Sequence, residues 1–352
     1  MYYVAKIEGK RMWDDPKDIA PIIADLEKNK DQITGIELSS NSIGIECAKV
    51  LANAIQSLSK LEKVNYRDIF VSRLKEDLPI SLEFLMKAIM DKKIKFLDLS
   101  DNAFGPTAIH SFDFFLKENE TLEELQLENN GLGPEGAESV ANSLLSNEKM
   151  KLKLMKLNRN RLENKGAIAF SKLFSKIQTL EHIELFQNGI KEEGMAEVIK
   201  SLGANKNLKV MKINDNLVKN ASQNLIEILP NLAHLETIDI SDSLLGNTNG
   251  VEIFKNLAKC PDLKEIYCNY NEIEKKKSQE EIMNICLQMA NIKIVELKGN
   301  EINTGIYKKF KKDLSNKLTS FNCYSDEEEV DLEEDEEEEI TKKIENIDLN
   351  KK

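Results

Sequence analysis

The sequence has little of what membrane proteins, secreted proteins and most enzymes need. It contains no run of about eighteen apolar residues, so no segment reads as a membrane-spanning helix. The start, MYYVAKIEGK, lacks the apolar core and cleavage pattern of a secretory leader. Five cysteines (Cys47, Cys260, Cys268, Cys286 and Cys323) are odd in number and scattered, with no Cys-x-x-Cys pair and no histidine at metal-ligand spacing. That pattern speaks against a zinc site and for a reducing compartment, cytosolic or nuclear, in which the sequons at Asn119 and Asn220 go unused. The three histidines, His110, His182 and His234, stand beside no Ser or Cys nucleophile signature, so each reads as a solvated or satisfied side chain rather than a general base. A P-loop and a calcium loop are missing as well, which leaves binding as the default function. Basic excess is also absent: 49 Lys and Arg face 61 Asp and Glu, a net charge of −12. Twelve of the acidic residues lie between Asp326 and Glu339 with no basic one among them, and outside that run the two signs balance. A neutral body argues against a broad basic surface for nucleic acid.

What is present is a repeat. The segment LEELQLENNGL, from Leu122 to Leu132, has the frame LxxLxLxxNxL, and the frame recurs with its Asn slot at positions 41, 69, 102, 130, 160, 188, 216, 243, 271 and 300. Ile69 and Ser243 fill two degenerate slots. The ten units average about 29 residues, the length of a leucine-rich repeat with a helix in each unit. Between slots, helical spacing confirms this: after Pro134, residues Ala137, Val140, Ala141, Leu144 and Leu145 share one helix face. Pro106 and Pro134 suit first helical turns. No unit can bury its own apolar stripe, so neighbours must stack into one continuous core. The expected fold is an α/β leucine-rich-repeat solenoid, a ribonuclease-inhibitor-like horseshoe with a parallel sheet on the concave side and helices on the convex side. It is expected to span residues 1–324, with YYVAKIE and Leu314 to Tyr324 as caps and residues 325–352 as a disordered acidic tail, either solubilising or steering a basic partner.

The frame sorts structural from functional positions. Each slot Asn can pair its amide with backbone groups left open where the chain leaves a strand. The residue just before the slot has no core duty. Asp101, Asn129, Arg159, Gln187, Asp215, Asp242 and Tyr270 should therefore line one rim, polar and rigidly mounted as a recognition surface requires. The GxGxxG string Gly131 to Gly136 reads as repeat punctuation, because the same turn returns as NAFGP without its first glycine. One irregularity remains. The slots at Ile69 and Asn102 are 33 residues apart, about four more than the mean, and the excess holds Arg73 and Lys75, either as a tolerated insertion or as a basic contact onto a partner.

Several strings resemble, in order along the chain, the GTPase-activating proteins of the small GTPase Ran, the RanGAP family. They are KIEGK (Lys6 to Lys10), DIFVSRLKEDLP (Asp68 to Pro79), LSDNAFGPTA (Leu99 to Ala108), ENNGLGPEGA (Glu128 to Ala137) and NRNRLENKG (Asn158 to Gly166), followed by the acidic tail. The resemblance implies stimulation of GTP hydrolysis on Ran, which keeps cytoplasmic Ran in its GDP form and gives nuclear transport its direction. It implies an activator rather than an enzyme in its own right, and a mechanism without an arginine finger, in which a rim Asn orients the catalytic Gln of Ran. That Asn belongs to ENNGLGP. The frame favours Asn129, because Asn130 occupies the structural slot, with Asn130 kept as the other choice and as a partner contact. Arg73 and Lys75 carry over as binding residues on the loop, and Asp101, Arg159, Gln187 and Asp215 as further contacts along the rim.

The same resemblance implies no cofactor or metal on this chain, since GTP and magnesium belong to the partner. The implied partner is a Ran-type GTPase in its GTP form, with an accessory Ran-binding protein left open. A monomer is expected, cytoplasmic or perinuclear, contacting neither nucleic acid nor membrane. The chain ends soon after the acidic run, as in the short fungal-type form, so anchoring at the nuclear pore through an extra domain is not expected. Two rivals stand beside this reading. One is a non-catalytic leucine-rich-repeat scaffold or inhibitor, although the cysteine-rich repeat pattern of the ribonuclease inhibitor is missing. The other is a relative of the family that acts on a different GTPase.

Overall fold

The computed structural model describes residues 1–324. The expected disordered tail, 325–352, lies outside the described residues. Twelve short strands form one parallel sheet in strict sequence order. Ten are the repeat strands: Gly35–Glu37, Lys63–Asn65, Phe96–Asp98, Glu124–Gln126, Leu154–Lys156, His182–Glu184, Val210–Lys212, Thr237–Asp239, Glu265–Tyr267 and Ile294–Glu296. The two outer strands, Tyr2–Val4 and Ser320–Asn322, lie in the segments expected to cap the stack. In most repeat strands the central residue is buried and its two neighbours are half-exposed, as a period of two demands of a sheet with one face on the core.

Helices return the chain to the next strand. Gly133–Ser146 begins with Pro134 in its first turn and buries Ala137, Val140, Ala141 and Leu144; Glu163–Ile177 repeats the arrangement with Ala167, Phe170, Leu173 and Phe174. Strands sit about 4.8 Å apart and helices about 8–10 Å apart. Stacking one helix per strand therefore bends the sheet inward, which puts it on the concave side. All five cysteines are buried, and burial pushes the thiol pKa of Cys268 and Cys286 up to about 12, where they are chemically quiet.

The two rims of the sheet differ. Where strands begin, Glu62, Glu123, Glu181 and Glu236 pair with Lys95, Lys153, Lys209 and Lys264 of the following repeat at 2.6–3.0 Å. That rim neutralises itself. Where strands end, each residue before the slot turns the chain with a left-handed backbone, from φ 49–60° at Ser40, Asp68, Asp101, Asn129, Arg159, Gln187, Asp215, Asp242 and Tyr270 to φ 64° at Gly299. Asn, Asp and Gly tolerate that conformation best, so their frequency at this position is a backbone requirement as well as a surface choice.

Candidate functional site

The slot side chains form a ladder across the repeats. Asn102, Asn130 and Asn160 accept at Oδ1 from the backbone N–H of Ile69, Asn102 and Asn130 at 2.9, 2.9 and 3.0 Å. Their Nδ2 groups donate to carbonyls of their own and the preceding repeat, as Asn130 does to Leu127 at 3.1 Å and Leu99 at 3.0 Å. Asn130 is fully buried in this ladder. It cannot touch a partner, so its place among the expected partner-binding residues is corrected: its amide is spent on backbone groups that would otherwise be left unpaired.

Asn129 is the opposite case. Its backbone N–H is fixed on the Asn158 carbonyl at 2.8 Å, and its exposed side chain donates from Nδ2 to Asp101 Oδ1 at 2.8 Å. Asp101 in turn gives its other oxygen, Oδ2, to Arg67 at 2.6 Å. Arg159 and Gln187 are exposed farther along the rim and Asp215 is half-buried.

The inserted loop lies beside this group. Phe70, Arg73, Lys75, Asp101 and Ala103 line one shallow cleft of about 370 Å³, so the loop and the rim form a single surface. Within the loop the two basic residues part ways. Arg73 turns inward: its side chain is 10% exposed, forms an ion pair with Asp14, and donates from Nε to Ser42 Oγ at 2.9 Å. It ties the loop to the N-terminal cap. Lys75 is exposed, has no ion pair among the described residues, and sits beside the exposed apolar side chain of Leu74.

On the concave floor, Glu184 is 6% exposed. Burial pushes its carboxyl upward, but hydrogen bonds with His182 at 2.6 Å and from Asn158 at 3.0 Å, and the charges of Lys156 and Lys212 at 3.5 Å, outweigh it and hold the pKa at about 2. Asn158 also donates to Glu128 at 2.7 Å, and Glu128 lies 3.6 Å from Arg67. A polar chain thus runs from the floor to Asn129. Sequence reasoning passed over Arg67, Glu128 and Asn158; their common place two residues before the slot was the available signal. Gly131 and Gly133, with φ 61° and 63°, serve the turn, and a Cβ at Gly136 would stand 3.1 Å from Pro106, which agrees with repeat punctuation.

Sheet, ladder and rim together define a leucine-rich-repeat protein. The family model described as Leucine Rich repeat matches residues 118–141, and the crystal structure of the Rad7 and Elc1 complex in yeast matches 85% of this chain and 81% of that one with a TM-score of 0.52 at 13% identity, which shows the fold alone. Among curated proteins, the chain is 33% identical over 113 residues, 31% of its length, to Ran GTPase-activating protein 1 of Xenopus laevis. It is 49% identical over 73 residues, 20% of its length, to Ran GTPase-activating protein 2 of Caenorhabditis elegans. With Ran GTPase-activating protein 1 of Saccharomyces cerevisiae it shares 31% identity over 128 residues, 35% of its length. The matched stretches make up 19%, 8% and 31% of those relatives' own lengths. They bear out the resemblance to the RanGAP family read from the motifs.

Proposed function

We propose that this chain stimulates GTP hydrolysis on a Ran-type small GTPase in its GTP form, acting in the cytoplasm as a monomer. The observation that carries this reading is Asn129: the exposed asparagine amide of the ENNGLGP string, held by Asp101 on a rigid rim beside the Lys75 loop. A GTPase hydrolyses slowly while its water-positioning Gln wanders, and a fixed external amide that hydrogen-bonds this Gln holds the attacking water in line with the γ-phosphate. Asn129 supplies that amide. Arg73 is not the finger, because its guanidinium is engaged with Asp14 and Ser42. Lys75, Arg159, Gln187 and Asp215 dock the partner, and GTP with its magnesium stays on the GTPase.

Single-turnover hydrolysis on Ran loaded with GTP tests this. The wild-type chain should accelerate it, and Asn129→Ala should lower the rate at saturation about a hundredfold while affinity for Ran in a non-hydrolysable GTP state changes less than about threefold. Binding without acceleration by the wild type would favour the scaffold reading. Acceleration of another GTPase in a side-by-side panel would move the activity to that partner.

A further inference from the structure

The amide of Asn129 has two ends, and only one geometry presents its carbonyl to a partner. Asp101 decides which. A carboxylate only accepts hydrogen bonds, so the end of Asn129 that lies 2.8 Å from Asp101 Oδ1 must be the NH₂. The carbonyl of this exposed side chain is then the end left to accept from the amide N–H of an incoming Gln. That orientation is as firm as Asp101 itself.

Asp101 is a carboxylate among carboxylates. Burial raises the pKa of Asp68 and the charge of Asp101 raises it further, while Arg11 and Arg67 oppose both. Asp98 is 4% exposed and also raised, by burial first and by Glu128 as well, with Ser100 and Arg67 acting against the shift. Arg67 is the cation common to this group: it touches Asp101 Oδ2 at 2.6 Å and Glu128 at 3.6 Å and lowers both Asp68 and Asp98. Its backbone is fixed as well, the N–H donating to Asn65 Oδ1 at 3.0 Å. Without the guanidinium, Asp101 faces like charges with its Oδ2 unpaired, and repulsion rotates it away from Asn129.

From this geometry we infer that Arg67 and Asp101 are positioning residues, which fix Asn129 with its carbonyl left for the partner. The inference rests on the reading of Asn129 above and deepens it: Arg67 acts through Asp101 without touching the partner. It separates two residues of the same rim by role, Asn129 as the contact and Asp101 as the clamp behind it.

The test uses the full chain, ¹⁵N-labelled, with Arg67→Met to keep the aliphatic stem, Arg67→Lys as the conservative variant, and thermal melting to confirm folding. In the free protein, Arg67→Met should move the side-chain amide signals of Asn129, and Arg67→Lys should return them towards wild type. With Ran–GTP, the single-turnover rate at saturating activator should fall between about tenfold and a hundredfold in Arg67→Met, with affinity held within about threefold and partial recovery in Arg67→Lys. Unmoved Asn129 signals overturn the inference, and so does a loss of affinity with the saturated rate unchanged, which would make Arg67 a docking contact. Should the wild type fail to accelerate hydrolysis, the functional reading falls, and the amide signals in the free protein still decide whether Arg67 and Asp101 fix Asn129.

Discussion

At Glu184 burial is opposed by hydrogen bonds from His182 and Asn158 and by the charges of Lys156 and Lys212, and together these win. The pKa falls from the ordinary 4.5 to about 2, which corresponds to roughly 3 kcal/mol of stability from the ionised form. A lowered carboxylate pKa stabilises the fold fully above the unfolded value, near 4.5, and the contribution disappears as pH drops through about 2. Glu184→Gln should therefore be less stable than wild type by roughly 2–3 kcal/mol at pH 7, with the gap closing between about pH 5 and pH 2. Urea denaturation across that range measures it, and a gap independent of pH would mean that packing, not charge, is what the variant loses. Single residues also mark where sequence reasoning stopped. The repeat frame separated Asn129 from Asn130 because a slot position must serve the backbone, and the structure buries one and exposes the other. It could not disclose that Arg73 turns inward, since its partner Asp14 lies 59 residues earlier in the N-terminal cap, outside any repeat. Nor could spacing show Arg67 reaching Asp101, a contact between neighbouring repeats that depends on side-chain direction.

Between repeats, the slot ladder is the element that sets register. From Ile69 to Asn188 each backbone N–H at the slot finds the next repeat's side-chain carbonyl, with Asn160 bonded to Asn188 at 2.8 Å and Asn188 to Asn216 at 3.3 Å. The chain of bonds is interrupted at Ser243, whose hydroxyl turns back to Ser241 at 3.2 Å, and resumes from Ser243 through Asn271 to Asn300. Both degenerate slots were visible in the sequence as departures from the frame, and they act alike: Ile69 and Ser243 are each anchored through their own N–H, to Asn102 and Asn271, and neither offers the side-chain carbonyl that the preceding slot needs, which at Ser243 leaves the bond from Asn216 unmade. Ser243→Asn should restore it and add a donor to the preceding repeat, raising stability by about 1 kcal/mol. The denaturation midpoint reads this directly, and an unchanged or lower midpoint would mean that the backbone at 243 has settled into a geometry the amide cannot use.

Over the whole molecule, a stack in which each repeat touches only its neighbours must be closed at both ends, and each end does so with aromatic rings. At the N-terminus the ring of Tyr2 covers Gly35, where a Cβ would stand 2.4 Å from Tyr2 Cδ2. At the C-terminus Tyr307 stacks on Phe321 at 6.2 Å, Tyr324 meets Tyr307 edge-on at 4.9 Å, and the Tyr324 hydroxyl donates to the Ile302 carbonyl at 2.6 Å. Removing that lid exposes the last repeat, yet stability in a solenoid is a sum of unit and neighbour terms, so the damage should decay along the stack instead of spreading evenly. Tyr324→Ala should lose amide protection in the strands Ile294–Glu296 and Ser320–Asn322, while Phe96–Asp98 and Glu124–Gln126, which carry the Asn129 rim, keep theirs. Under the function proposed above, the same variant should accelerate GTP hydrolysis on Ran as the wild type does. Hydrogen exchange resolved by segment makes the comparison, and a uniform loss of protection from end to end would mean that the chain unfolds as one cooperative block, with the cap and the rim tied together energetically across six intervening strands.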